Sequence, residues 1–574
     1  MKNAINPSIS TETLASAVSE LDAQQVITRI WKKDPTVWSN DAAHRKIISN
    51  ALGWLDVAEM MLPKAAELTS FAEEIRNAGF HYVVVLGMGG SSLCPEVLRR
   101  TFGPQSGWPE LLVLDSTVPE AILRLDGQLE LAHTLFIVAS KSGSTTEPQM
   151  FYRYYFDRML REVGDDAGRN FIAITDPGTQ LAQEAKRDKF RRIFLNPADI
   201  GGRYSALSYF GMVPFALMGG EVETLLERAV RTVKECRTAS AADNRAVILG
   251  ATLGTQSLAG RNKLTFITPE PIDSLGLWIE QLVAESTGKE GKGIIPIAGE
   301  PLGAPADYGN DRVFVYIHTE NFAHSEIETK VKALEAAGHP VLRHQLNDAL
   351  DLGSEFYLWE FATAVAGHIL DIDPFDQPNV QESKDNTKRL LAQFTAEGKF
   401  KEQTLIACDD DFRIFSDDEN RAALSSAEST LDGVIRAHVA RVKPGDYIAI
   451  TEYIDETSAH DELLQQLRLA LRSRTRCATT VGYGPRFLHS TGQLHKGGPG
   501  NGVFIQLTSA DREDVAIPKE KFTFGVLKQA QALGDFESLT ARHRRAIRID
   551  LGDDITGGLR RLINVARSLP ARKP

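Results

Sequence analysis

Residues 133–163 read HTLFIVASKSGSTTEPQMFYRYYFDRMLREV, and the middle of this stretch joins two different hydrophobic patterns. The run HTLFIVA predicts a buried strand, whereas apolar side chains from Glu147 onward recur at helical spacing. Five hydroxyl side chains, one lysine and one glycine lie between them. A run rich in serine and glycine is often a flexible linker. A loop between a buried strand and a helix N-terminus can instead hold an anion, because its backbone N–H groups, its hydroxyls and the helix dipole all favour negative charge.

Similar strand-and-helix units flank this loop along the chain. Short apolar runs alternate with helical stretches at YVVVLG, ELLVLD, NFIAITD and RRIFLN. Such alternation is typical of a parallel sheet covered by helices on both faces. It resumes near Lys263 and again near Gln403. The sequence therefore predicts an α/β protein with doubly wound parallel sheets in tandem, divided into a helical N-terminal segment (1–65), two α/β domains (66–239 and 240–400) and a C-terminal α/β unit (401–574).

Composition excludes several functional classes. The chain has 574 residues and a net charge of −12, from 64 Lys and Arg against 76 Asp and Glu. An acidic balance argues against a nucleic-acid partner. The cysteines (Cys94, Cys236, Cys408 and Cys477) are scattered, which favours neither disulfides nor a thiolate metal site. Neither a signal peptide nor a membrane-spanning run is predicted, so we expect a cytoplasmic protein without a membrane partner.

A glycine turn follows the first predicted strand, in the motif GMGGSSL (87–93). Glycines at such a turn let the backbone approach a ligand closely, as in dinucleotide sites. Here the third glycine comes too early for that motif, and only Asp115 is available as a ribose partner. Neighbouring strands of a doubly wound sheet end at one crevice, so Ser91 and the hydroxyl loop can face a single phosphate. The alternative is that Ser142 and Thr145 only cap the following helix.

Five motifs in order carry a family resemblance. They are GMGGSSL, SKSGSTTEP, GGRYSALS, EQLVAESTGKEGKG and PFDQPNVQESK. Together they resemble the phosphoglucose isomerase family, whose domains are of the sugar-isomerase type, over roughly residues 80–391. The resemblance extends to the isomerase portion of bacterial transaldolase/phosphoglucose isomerase fusions, which are also similar to the C-terminal third. Only some 65 residues precede the first predicted sheet, so a transaldolase barrel and its activity are not supported.

The resemblance implies interconversion of an aldose 6-phosphate and a ketose 6-phosphate, specifically glucose 6-phosphate and fructose 6-phosphate. It assigns the phosphate to the hydroxyl loop and the glycine turn, which gives a set of six residues. These are Gly90, Ser91, Ser140, Lys141, Ser142 and Thr145. The family commonly has threonine at the position of Ser142, and serine keeps the hydroxyl. Proton transfer needs neither a metal nor an organic cofactor, so none is expected.

The resemblance also implies a base that moves a proton between C2 and C1. Glu285 matches it, and Gln281 matches the assisting glutamine. Asp273 and Gly288 are plausible boundaries of a helix, on which Gln281 and Glu285 share one face because they are four residues apart. Glu280 and Glu290 are competing carboxylates, but Glu280 points away from that face.

Three further residues complete the implied site. Arg203 in GGRYS matches the family arginine and supplies the fixed cation that an enediolate requires. Gln377 and Lys384, seven residues apart, match groups that contact the sugar, with the lysine assisting ring opening.

The ring-opening histidine is the least determined element. The family usually carries it between the base and the last lysine, often from the partner subunit, and the candidates there are His318, His324, His339, His344 and His368. The loop HSTGQLHKGGPGNG (489–502) instead echoes the family's histidine motif at a displaced position. His495 is the first choice and His489 the second. Two histidines in this spacing without a carboxylate are a poor metal ligand set.

Two rival functions remain open. A sugar-phosphate-binding regulator would use the same loop without chemistry, and an isomerase could also accept mannose 6-phosphate or an amino-sugar phosphate. Glu285 together with Arg203 and Lys384 favours an enzyme, because a sensor does not need them. The expected assembly is a homodimer.

Overall fold

The N-terminal segment is helical, as expected, but it also contributes one strand. The structure is a computed structural model that describes residues 3–5, 11–320, 325–401 and 403–572. The elements of this segment are β1 (Asn3–Ile5), α1 (Thr11–Ala23), α2 (Val26–Trp31), α3 (Ala42–Ser49), α4 (Val57–Met61) and α5 (Ala65–Asn77). The segment packs on the rest of the chain through buried indole and phenol groups: Trp38 Nε1 donates to the Ala364 carbonyl at 2.8 Å, and the Tyr357 hydroxyl donates to the Leu55 carbonyl at 3.0 Å.

The first sheet contains the strand and loop on which the fold prediction rested. Its elements are β2 (Tyr82–Leu86), α6 (Leu93–Phe102), β3 (Glu110–Leu114), α7 (Pro119–Gln128), β4 (Thr134–Ala139), α8 (Thr146–Val163), β5 (Phe171–Thr175), α9 (Gln180–Arg187) and β6 (Arg192–Leu195). The strand order is β3-β2-β4-β5-β6, and all pairs are parallel. Strand β4 is buried along its whole length, because helices cover both faces.

The second sheet follows three helices that bridge the two domains. The elements are α10 (Tyr209–Leu217), α11 (Val222–Cys236), α12 (Arg245–Leu258), β7 (Lys263–Ile267), α13 (Leu275–Thr287), β8 (Ile295–Ile297), β9 (Arg312–Thr319), α14 (Ser325–Ala336), β10 (Val341–Leu346), α15 (Leu352–Ile369) and α16 (Pro378–Glu397). The order is β1-β10-β9-β7-β8. Strand β1 pairs antiparallel with β10, so the sheet is completed by residues from the N-terminal segment, where the sequence had predicted no strand.

The third sheet is mixed. Its unit comprises β11 (Leu405–Asp409), β12 (Phe412–Phe415), α17 (Asp418–Ala423), α18 (Leu431–Ala440), β13 (Tyr447–Tyr453), α19 (Ser458–Thr475), β14 (Ala478–Tyr483), α20 (Gly492–Gly497), β15 (Gly502–Thr508), α21 (Phe524–Thr540), β16 (Arg545–Asp550) and α22 (Ile555–Ser568). The order is β11-β12-β16-β15-β13-β14, with an antiparallel hairpin at the β11 edge. Strands β12 and β16 were not predicted, because charged residues interrupt their apolar patterns.

The predicted fold class, α/β with tandem doubly wound parallel sheets, is confirmed; the exact domain boundaries stay a prediction. The third unit docks on the first α/β domain through polar contacts. The Thr117 hydroxyl donates to Gln531 Oε1 at 2.7 Å, and Arg486 forms a two-point ion pair with Asp115 at 2.8 and 2.9 Å. Within the described parts of the chain, no helix combines the length and apolar character that a membrane crossing needs.

Candidate active site

The hydroxyl loop between β4 and α8 is held in a defined shape. Gly143 has a φ of +66°, which favours glycine at that position. The Ser140 hydroxyl donates to Thr145 Oγ1 at 3.1 Å, so Thr145, although it occupies the N-cap position of α8, is engaged across the loop. Lys141 is ion-paired with Asp176 and donates to the Ala198 carbonyl at 2.8 Å, which directs its ammonium group toward those two acceptors.

The glycine turn and the GGRYS loop touch each other directly. A Cβ atom on Gly90 would lie 1.9 Å from the carbonyl oxygen of Gly202, so only glycine fits there. Ser91, in the same turn, is buried. This close approach places Arg203, the residue after Gly202, next to the turn. Neither Gly90 nor Ser91 lines the small cavity described below.

Arg203 connects helix α13 with the loop that precedes helix α16. Its guanidinium is 3% exposed and donates to Ser286 Oγ at 2.7 Å and to Gln377 Oε1 at 2.9 Å. A third donor reaches the Pro374 carbonyl at 2.7 Å. Helix α13 and the N-terminus of α16, where Gln377 is the N-cap, are thus fixed to one cation.

Glu285 lies beside this cation on α13. Its Oε1 is 3.5 Å from Arg203 Nη1, and its Oε2 accepts from Gln281 Nε2 at 3.3 Å. The same Gln281 amide donates to the His489 carbonyl at 2.7 Å. Gln281 Oε1 is buried and has no hydrogen-bond partner among the described residues. Gln281 and Glu285 lie on one face of α13, as predicted. That face contacts Arg203 and the C-terminal loop.

Lys384 and His489 meet across a small cavity of about 150 Å³. The hydroxyl loop contributes Ser142 and Ser144 to its lining, and α8 contributes Glu147. Parts of the chain that are far apart in sequence therefore converge here: the first sheet, helix α16 and the third unit.

A buried carboxylate orients the histidine of this cavity. Glu147 Oε1 lies 3.2 Å from His489 Nε2 and accepts from Gln531 Nε2 at 2.6 Å. Burial raises the pKa of Glu147, but the charge and hydrogen bond of His489, with the nearby Lys384, outweigh it and leave that pKa below its ordinary value. An ionised Glu147 accepts a hydrogen bond from His489 Nε2 and so fixes the orientation of the ring.

His495, the first choice for ring opening, lies elsewhere. It is 3% exposed, and its ring packs against Phe504 and Phe487 with centroids 5.1 and 6.0 Å away. Neither ring nitrogen has a hydrogen-bond partner among the described residues. Burial, followed by the charges of Lys496 and Arg544, lowers its pKa to about 3. The sequence could not separate the two histidines, and the structure brings His489, the second choice, to the cavity instead.

The remaining histidine candidates do not line the cavity where the structure describes them. His318, His344 and His368 contact Thr319, Glu355 and Val37, respectively, and His339 is buried against Phe314. His324 lies outside the described residues.

Glu147, Ser144 and Gln531 were missed as site residues. Glu147 and Ser144 lie inside the opening motif, where position alone could have indicated them. Gln531 carries no local signal, because it reaches Glu147 across 384 positions of sequence. Among the described residues no group of three or more His, Cys, Asp or Glu side chains is arranged to hold a metal ion.

The chain is similar to several known proteins. Residues 63–300 match the family model described as phosphoglucose isomerase. The glucose-6-phosphate isomerase of Pediococcus pentosaceus is 28% identical over 408 residues, which cover 62% of this chain and 90% of that protein. That of Enterococcus faecalis is 26% identical, with 66% of this chain and 94% of that protein covered.

Solved structures support the fold. A hypothetical protein from Thermus thermophilus superposes with a TM-score of 0.59 at 24% identity and covers 68% of this chain and all (100%) of that one. A glucose-6-phosphate isomerase from Chlamydia trachomatis gives a TM-score of 0.50 at 21% identity, covering 65% of this chain and 78% of that one.

The fold and the matched region define an aldose–ketose isomerase of the sugar-isomerase class. Within that class, residues 63–300 match the phosphoglucose isomerase family, and the chain is similar to glucose-6-phosphate isomerases. Helix α16 and the third sheet lie beyond the range matched by the family model, although Lys384 and His489 come from them.

Proposed function

We propose that the protein interconverts glucose 6-phosphate and fructose 6-phosphate. The observation that carries this proposal is the convergence of Glu285, Arg203 and Gln281 on one side of the C-terminal loop with His489 and Lys384 on the other. The named relatives support it, since they carry the same activity in their names.

The reaction begins at the phosphate. Ser142 and the backbone N–H groups at the start of α8 hold it, with Ser140 and Thr145 shaping the loop. Lys141 supports the loop through Asp176 rather than by direct contact. Ring opening then requires that O5 gains a proton while the C1 hydroxyl of the aldose, or the C2 hydroxyl of the ketose, loses one. His489, oriented by Glu147, serves as the acid and base of this step, and Lys384 assists it.

Isomerisation follows in the open chain. Glu285 removes the proton from C2 as the C1 carbonyl oxygen becomes the oxyanion of the enediolate. The hydroxyl proton then passes from O2 to O1, and Glu285 returns its own proton to C1 as the C2 carbonyl forms. Arg203 stabilises the negative charge of the enediolate, because its fixed guanidinium needs no rearrangement when the charge develops. Gln281 and Gln377 position the sugar hydroxyls.

A direct assay tests the activity. Fructose 6-phosphate is supplied, and both glucose 6-phosphate and mannose 6-phosphate are measured. Glucose 6-phosphate alone supports the proposal, and a mixture identifies an isomerase with broader specificity. Binding of fructose 6-phosphate without formation of either product would instead identify a regulator.

The expected surroundings of the protein stay proposals as well. We place it in the cytoplasm, acting without a cofactor, a metal, a nucleic acid or a membrane. A homodimer remains the expected assembly. Because His489 reaches the cavity from the same chain, the proposed chemistry requires no histidine from a partner.

A further inference from the structure

A second and larger cavity, of about 510 Å³, lies on the other side of α13. It opens at the carboxyl ends of β7 and β8 in the second sheet and of β14 in the third sheet. Crevices at the carboxyl ends of parallel strands are where open α/β sheets bind ligands. One short turn separates the two cavities, since Phe487 and Ser490 line the larger one and the intervening Leu488 and His489 line the smaller one.

Much of the wall of this cavity is apolar. The apolar side chains come from both sheets and their covering helices: Leu93, Phe266, Leu277, Leu302, Ile327 and Phe487. Sites with apolar walls and a few convergent polar groups are typical of small-molecule binding. A ligand with an apolar body therefore fits this cavity better than a bare ion.

The cations of the cavity are already engaged. Arg486 is paired with Asp115 and with Glu456, at 2.8 and 2.9 Å for its closest contacts. Arg468 donates to the carbonyls of Ala298 and Thr479 at 3.1 and 2.6 Å. Arg100 lies 3.5 Å from Asp273 at the rim. An anionic ligand, such as a sugar phosphate, would have to displace one of these partners.

Carboxylates outnumber cations in the lining. They are Asp273, Glu280, Glu300, Glu456 and Asp461. Glu300 is paired with Arg312 at 2.8 Å, and Asp461 accepts from the Tyr483 hydroxyl at 2.6 Å. Glu280 is half-buried and faces the cavity from α13.

Among the described residues, no lysine or arginine forms an ion pair with Glu280, and Arg468 is the cation whose charge acts on it. Burial raises the pKa of its carboxyl to about 8, although the charge of Arg468 and hydrogen bonding to the backbone of Ala298 oppose the rise. A carboxyl in this state gains an interaction when a cation enters and lets it ionise.

We propose that this cavity binds a small organic cation, a primary ammonium group on an apolar body, with the ammonium placed against Glu280. The ligand is thus opposite in charge to the sugar phosphate of the smaller cavity. The site and the isomerase chemistry are tested independently, because Glu280 has no part in the proposed reaction.

The first test uses the unmodified full chain and two probes of equal shape. Calorimetric titration with 3-phenylpropylamine and with 3-phenylpropan-1-ol compares an ammonium with a hydroxyl on the same body. At pH 8 we expect the amine to bind at least about tenfold more tightly, as an ion pair in a partly desolvated site allows. Equal affinities, or no binding of either probe, would overturn the proposal.

The second test changes the carboxylate. Glu280→Gln should weaken binding of the amine about tenfold and leave binding of the alcohol unchanged. The matched control is Glu290→Gln, which removes the same charge from an exposed residue that does not line the cavity. Unchanged amine affinity in Glu280→Gln would refute the assignment.

A pH series tests the role of Glu280 even if Glu280→Gln folds poorly. In the parent, affinity for the amine should rise between pH 6 and pH 9, because ionised Glu280 binds the cation. The other titratable or charged groups lining the cavity are those named above, together with Tyr483. A flat profile would contradict the role of Glu280.

Discussion

Glu280 and Glu285 stand on the same helix, α13, and meet opposite surroundings. Glu285 is 3.5 Å from the buried guanidinium of Arg203 and receives a hydrogen bond from Gln281. Glu280 faces the 510 Å³ cavity, where burial raises its pKa to about 8. Glu285 is therefore held beside the cation Arg203, whereas Glu280, on the other side of the helix, forms no such pair with a described residue.

The comparison shows what a proton shuttle requires of its environment. In the proposed reaction Glu285 takes a proton from carbon, and the Arg203 guanidinium lies 3.5 Å from its carboxylate. The same guanidinium is placed to stabilise the enediolate that this step produces. Glu280 is only five positions away, but it faces the larger cavity, and burial raises its pKa to about 8.

The largest effect on activity is expected when Glu285 is replaced by a neutral side chain. Glu285→Gln keeps the shape of the side chain but removes the base, so kcat should fall by about 10³-fold or more. Binding of fructose 6-phosphate, measured by calorimetry, should change little, because the phosphate loop is untouched. Glu280→Gln is the control on the opposite face, and it should retain nearly all of the parent's kcat. A Glu285→Gln enzyme with near-normal turnover would end the assignment.

The next effect separates the two histidines of the C-terminal loop. His489→Ala should lower kcat with cyclic substrate about 10²-fold or more, because ring opening loses its acid and base. The control is His495→Phe, which keeps an aromatic ring in the cluster with Phe487 and Phe504 and should be close to the parent.

An acyclic substrate sharpens the same prediction. A 5-deoxy analogue of fructose 6-phosphate cannot close its ring, so exchange of its C1 proton with solvent requires Glu285 and not His489. His489→Ala should therefore exchange this proton at a rate within a few-fold of the parent. If His495→Phe loses cyclic turnover while His489→Ala retains it, the roles of the two histidines are reversed.

These predictions depend unequally on sequence and on structure. Motifs confined to a few consecutive residues could be predicted, since strand-loop-helix patterns place the hydroxyl loop and a spacing of four places Gln281 and Glu285 on one face. The choice between His489 and His495 could not, because burial of His495 by Phe504 depends on tertiary packing. The contact of Gln531 with Glu147 likewise joins distant parts of the chain.

Two strands also could not be predicted from the sequence, because they depend on contacts between distant residues. Strand β1 forms only because it finds the free edge of β10, a partner more than three hundred positions away that no local pattern indicates. Strand β16 alternates arginines with apolar residues, yet it lies inside the third sheet between β12 and β15. Its Arg548 is buried and donates to Gln403 Oε1 at 2.9 Å, which gives a hydrogen-bond partner to a side chain that the sequence alone would place in solvent.

A smaller effect is expected at the phosphate loop. Ser142→Ala removes one hydroxyl that lines the small cavity, and a hydrogen bond to a charged phosphate contributes about 1.5–3 kcal/mol. We expect KM for fructose 6-phosphate to rise about tenfold or more with kcat largely kept, and inorganic phosphate to inhibit the variant more weakly. Ser39→Ala, in the N-terminal segment, is a matched control. An unchanged KM would favour the linker interpretation of this loop.

The smallest effect concerns stability and belongs to the other face of α13. The pKa of Glu280 is about 8 in the folded protein and near the ordinary value of 4.5 in the unfolded chain. Between these two pH values, Glu280 is protonated in the folded protein and ionised in the unfolded chain. The free energy of unfolding should therefore fall as pH rises from about 4.5 to 8, by at most a few kcal/mol, and this contribution should stay constant above that range. Glu280→Gln removes the titration, so its melting temperature should decline less between pH 5 and pH 8 than that of the parent. Glu290→Gln should follow the parent. If the melting temperatures of Glu280→Gln and the parent change equally across this range, the pKa of Glu280 is not raised. Glu280 and Glu285 would then differ only in that Arg203 lies beside Glu285.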